Sequence, residues 1–84
     1  MTVTVYTLPG CVSCDLTLRA FRRRGVEPVE VPMSDADMAH WRSQGALSAP
    51  VVDSGNLWWF GLKPDLIQEA SREALGRPRS HKSA

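Results

Sequence analysis

The chain has no long apolar run, no strong charge of either sign and almost no cysteine. Its unbroken apolar stretch at residues 57–60 falls far short of the roughly 18 residues that suggest a membrane-spanning helix. Ten basic and nine acidic residues leave a formal net charge of +1, so no global field selects nucleic acid or a membrane surface. Met1-Thr2-Val3-Thr4-Val5 carries neither a basic cluster nor an apolar core. The expectation is therefore a chain without a secretory signal, working in the reducing cytoplasm. The 84 residues make one domain, whose core hides roughly 60–65% of the surface that its unfolded form exposes. Arg19 and Arg22-Arg23-Arg24 form a local basic cluster. They are expected to solvate a helix face and complement its C-terminal dipole.

The two cysteines stand together as Cys11-Val12-Ser13-Cys14. Before them, Val3-Thr4-Val5-Tyr6-Thr7 alternates as a strand does, and Leu8-Pro9-Gly10 breaks the alternation. After them, Leu16, Ala20 and Phe21, with Leu18 alongside, predict the apolar face of a helix over residues 12–24, stopped at Gly25. A strand, a tight loop and CxxC at a helix start are the sequence form of a dithiol redox site. Two alternatives stand beside it. One is a structural zinc site, which normally takes four ligands; His40 and His81 would have to complete it, and they lack the spacing of a second half-site. The other is a pair of small buried residues without chemistry.

Further along, Val29-Glu30-Val31 predicts a second strand. Ser34 reads as the N-cap of a second helix, with Asp35 and Asp37 at its positive end and Gly45 at C′. Ala49-Pro50-Val51-Val52 and Leu57-Trp58-Trp59 flank the turn Asp53-Ser54-Gly55-Asn56 and predict a hairpin. Lys63-Pro64-Asp65 opens a last helix, with Leu66, Ile67 and Ala70 on its apolar side and Gly76 as its stop. Residues 1–76 are expected to form the domain, and 77–84 a mobile basic tail. The order βαβαββα predicts an α/β fold, a four-stranded mixed sheet covered by helices. Its first two strands are parallel through a right-handed crossover.

These segments in this order resemble the thioredoxin superfamily, within it the glutaredoxins, and within those the NrdH-type redoxins. The resemblance covers residues 2–75. It rests on Val5-Tyr6-Thr7 leading into the CxxC, Ser43-Gln44-Gly45, Ala49-Pro50-Val51-Val52, and Trp59-Phe60-Gly61-Leu62-Lys63-Pro64-Asp65. The last is similar to the family's Trp-Ser-Gly-Phe-Arg-Pro-acidic segment, with Phe60 and Leu62 as departures.

Several expectations follow from that resemblance. It implies a thioredoxin/glutaredoxin-like fold and a small monomeric dithiol electron carrier. Cys11 is the attacking sulfur, favoured as thiolate by the helix N-terminus, and Cys14 resolves the mixed disulfide. Pro50 is cis, and Thr7, Val12, Ala49, Pro50 and Val51 contact substrate, with Ala49 offering backbone hydrogen bonds to an extended peptide. Trp59, Phe60, Gly61, Leu62 and Lys63 form the partner-binding segment, with Trp59 as an exposed aromatic anchor. The resemblance further implies thioredoxin reductase, a flavoprotein using NADPH, as electron source. The implied client is class Ib ribonucleotide reductase or another disulfide-containing protein. No bound cofactor or metal is implied, and no nucleic acid or membrane partner. A glutathione-dependent glutaredoxin is the first alternative, and a metal or iron–sulfur module, joining the CxxC pairs of two chains, the second. Asp15, four residues after Cys11, departs from the family pattern and is expected to pair with Arg19.

Overall fold

A computed structural model describes residues 2–76; the expected tail at 77–84 lies outside the described residues. The elements are β1 (Thr4–Thr7), α1 (Val12–Arg23), β2 (Val29–Pro32), α2 (Asp35–Ser43), β3 (Val51–Asp53), β4 (Trp58–Phe60) and α3 (Pro64–Ala74). This is the predicted order. The sheet runs β2-β1-β3-β4, with β1 and β2 parallel and the other pairs antiparallel.

Register decides which side chains share a face. Val5 lies opposite Val52 and Val52 opposite Trp59, while Tyr6 lies opposite Val51 and Val51 opposite Phe60. Because side chains alternate along each strand, these two rows project to opposite sides of the sheet. The first row joins Leu18, Phe21, Ile67 and Ala70 in the main core. The second joins Trp41 and Ala46, with Tyr6, Met33, Trp58 and Phe60 at its margin. There, ring centroids lie 5.5 Å apart for Tyr6–Trp41 and 5.1 Å for Trp41–Trp58.

Two expectations about faces are corrected here. Trp59 is not an exposed anchor: it is 5% exposed, because its register with Val5 and Val52 turns it into the main core. In α1 the buried stripe is Cys14, Thr17, Leu18 and Phe21, spaced i, i+3, i+4, i+7 as a 3.6-residue repeat demands. Leu16 falls off that stripe and is exposed. Ala20 packs at its edge.

Ser34 caps α2 as predicted, and more completely. Its hydroxyl accepts from Asp37 N at 3.1 Å, while Asp37 Oδ2 accepts from Ser34 N at 3.2 Å, a reciprocal capping box. Ser34→Ala is expected to lower the unfolding free energy by about 1 kcal/mol, read as a lower urea midpoint at unchanged slope. An unchanged midpoint would show that the box contributes nothing. At the end of α1, Arg22 pairs with exposed Glu27 at 3.0 Å, so the arginine run is in part a solvated helix end. The predicted Asp15–Arg19 pair does not form: both side chains are exposed and no ion pair joins them, whereas Arg22 pairs with Glu27.

Candidate redox site

β1 ends at Thr7, and the chain then turns through Leu8, Pro9 and Gly10. Gly10 adopts φ of +68°, a left-handed conformation that side-chain-bearing residues rarely take. That turn delivers Cys11 to the N-cap of α1 with extended backbone angles. Its Sγ accepts from Cys14 N at 3.1 Å. The sulfur thus occupies the place where a Ser or Asp oxygen normally satisfies a free helix N–H. Here the first turn of α1 faces the Cys11 sulfur.

Cys11 and Cys14 are joined as a disulfide with Cα atoms 5.2 Å apart, inside the ordinary range for such a bond. The sulfurs are not equivalent. Cys11 is half-buried, whereas Cys14 is 2% exposed. A partner can reach the first more readily than the second.

The strand ends around the dithiol converge from distant parts of the chain. Extending the β1–β3 register by one residue sets Pro50 beside Thr7. Gly61 N donates to Pro50 O at 2.8 Å, so Thr7, Pro50 and Gly61 share one end of the sheet, the end from which Cys11 departs. The Ala49–Pro50 bond is cis, as the resemblance implies. Pro50 and Val51 are buried, and Ala49 is half-buried. Val12 is 70% exposed beside Cys11. In the segment after β4, Lys63 Nζ donates to Phe60 O at 3.0 Å and stands 5.4 Å from the Phe60 ring centroid. Gly61 and Phe60 are half-buried, Leu62 and Lys63 exposed.

Sequence reasoning did not find the cleft beside this site. Leu8, Met33, Met38, Trp41, Arg42 and Ala49 are among the residues lining a space of about 90 Å³, with exposed Leu47 at its mouth. Helical spacing of Met38, Trp41 and Arg42 was the available signal, but Leu8 and Ala49 join them only through tertiary structure. Among the described residues no group of three or more His, Cys, Asp or Glu could hold a metal ion. No helix there is long and apolar enough to cross a membrane.

A closed CxxC at a helix N-cap, on a four-stranded mixed sheet with a cis-proline loop at the same sheet end, defines a thiol–disulfide redoxin of thioredoxin/glutaredoxin-like fold. Comparison with known proteins narrows this class. No protein-family model matches the chain. The glutaredoxin-like protein NrdH of Salmonella typhimurium is 41% identical over 69 residues, which span 80% of this chain and 85% of that protein. Its Escherichia coli K12 counterpart is 39% identical over the same length and shares. The solved structure of Escherichia coli NrdH-redoxin, described as having a thioredoxin-like activity profile, superposes with a TM-score of 0.79 at 35% identity. It covers 82% of this chain and 93% of its own. A glutaredoxin from Archaeoglobus fulgidus, at 24% identity and a TM-score of 0.66 over 83% of this chain and 85% of its own, shares the fold. The chain belongs to the NrdH family of glutaredoxin-like redoxins.

Proposed function

We propose that this chain is a monomeric cytoplasmic dithiol electron carrier that reduces protein disulfides. The observation that carries the reading is the unequal exposure of its two sulfurs at one helix start. Cys11 attacks the client disulfide as thiolate, because the thiolate is the nucleophile in such exchange. The client's first sulfur leaves, and a Cys11–client mixed disulfide remains. Cys14 then attacks Cys11, closing the internal disulfide and releasing the client's second thiol. The client gains two electrons and the redoxin loses two.

Around that chemistry, the client segment lies extended against Ala49, whose backbone groups before Pro50 add a short strand-like pairing. Thr7, Val12, Pro50 and Val51 frame it. Thioredoxin reductase restores the dithiol with electrons from NADPH through its flavin, and Phe60, Gly61, Leu62 and Lys63 contact that reductase. Trp59 supports the segment from the core. The client is class Ib ribonucleotide reductase or another disulfide-containing protein.

The test couples the chain to thioredoxin reductase, NADPH and a class Ib ribonucleotide reductase. Deoxyribonucleotide formation and NADPH loss in step, both dependent on the redoxin, are expected. NADPH loss without deoxyribonucleotide would remove ribonucleotide reductase as client. No NADPH loss at all would remove the reductase.

A further inference from the structure

Cys14 has to become an anion in a place that water hardly reaches, since its residue is 2% exposed. Burial disfavours a thiolate, so something nearby must donate to it or the second exchange step is slow. No charged residue is buried among the described residues: the buried polar ones are Thr7, Thr17, Ser54 and Ser71. Thr17 alone lies on the helix that carries the dithiol. It follows Cys14 by three positions and shares its buried stripe. A helical side chain leans toward the N-terminus and covers the preceding turn, which for Thr17 is the turn holding Cys14. The Thr17 residue is fully buried, and its Oγ1 has no hydrogen-bond partner while the disulfide is closed. A buried hydroxyl without a partner costs stability.

We infer that Thr17 donates its hydroxyl hydrogen to Cys14 Sγ once the disulfide opens. This rests on Cys14 being the resolving sulfur. In the step concerned, Cys14 thiolate attacks Cys11 Sγ, the Cys11–Cys14 bond forms and the Cys11–client bond breaks. The client sulfur leaves with the bond's electron pair and takes a proton from water. Thr17 keeps its own proton throughout. Its hydrogen bond holds the thiolate ready for attack, and closing the disulfide releases the hydroxyl to the unpartnered state seen here.

The experiment follows reduced protein reacting with an aromatic disulfide whose thiolate absorbs visible light. One equivalent appears when Cys11 attacks, and the second when Cys14 resolves. Thr17→Val, close in shape but without the hydroxyl, is expected to lower the ratio of second-phase to first-phase rate about tenfold, the loss of one hydrogen bond to a charged group. Thr17→Ser should restore the ratio. In the Cys11→Ser background, Thr17→Val should also reduce the 240 nm thiolate absorbance of Cys14 at a given pH. An unchanged ratio in folded Thr17→Val overturns the inference, as does a Thr17→Ser protein no better than Thr17→Val. Should valine not be accommodated, Thr17→Ala reads the same ratio. The underlying assignment fails separately: with the roles reversed, Cys11→Ser would keep the fast first equivalent and Cys14→Ser would lose it.

Discussion

Cys11→Ser is expected to abolish disulfide reduction altogether, with no residual turnover above the uncatalysed rate. The protein has two cysteines, and Cys14 at 2% exposure is poorly placed to attack a folded client. A serine hydroxyl at Cys11 keeps the cap to α1 but is a far weaker nucleophile than a thiolate at neutral pH. The fold should survive, because Ser is among the preferred N-cap residues. Cys14→Ser should fail differently, by accumulating a covalent client adduct through Cys11. Intact mass and peptide mapping separate the two. Adducts on Cys14 in the Cys11→Ser protein would reverse the assignment of the sulfurs.

The second large effect concerns the electron donor. Glutathione carries two carboxylates, each of which needs a cation or donor where it rests. No cation lies between Met1 and Arg19. Leu8, where resembling glutaredoxins usually carry a lysine a few residues before the CxxC, lines the cleft beside the site. Gly61 is followed by Leu62 and Lys63, where typical glutaredoxins follow the hairpin with Gly-Gly and an acidic residue. The absence of one charge-assisted contact, ~1.5–3 kcal/mol, weakens binding about tenfold or more. Turnover with thioredoxin reductase is therefore expected to exceed turnover with glutathione and glutathione reductase by more than an order of magnitude. Leu8→Lys should raise the ratio of glutathione-supported to reductase-supported turnover about tenfold. Rapid reduction of the unmodified protein by glutathione, with several thioredoxin reductases inert, would replace the redoxin reading by the glutaredoxin one.

Local chemistry made much of this legible before any fold was seen. The CxxC, the Ser34 cap, the Asp53-Ser54-Gly55-Asn56 turn and Pro64 at the start of α3 each act within a few residues. Each stands where its residue types require. The cis Ala49–Pro50 bond came from the resemblance alone, since nothing in its neighbours demands it.

What failed depended on pairing between distant segments. Both faces of the sheet are covered, so β4 is apolar at every position, Trp58, Trp59 and Phe60 alike. Alternation then cannot say which face is which. Only the register with Val52 sends Trp59 inward. In α1 the polar Thr17 interrupts the buried stripe, so an apolar count takes in Leu16 and passes over Thr17, while Leu18 and Phe21 do lie on the buried face. The Asp15–Arg19 pair failed for another reason: exposed i, i+4 ions gain only a few tenths of a kcal/mol, too little to hold both chains in place.

The two sides of the sheet differ in how tightly they are held. α1 buries Cys14, Thr17, Leu18 and Phe21, and α3 buries Ile67, Ala70 and Ser71, whereas α2 buries Trp41 alone. Elements with few buried contacts open at a fraction of the global unfolding free energy. Amide hydrogens of α2 should therefore exchange well before those of α1, through excursions that leave the sheet intact. Because α2 contributes Met38, Trp41 and Arg42 to the cleft, those excursions reshape the cleft wall without disturbing the sulfurs. One small domain can thus hold its chemistry rigid while the wall of the neighbouring cleft stays adaptable.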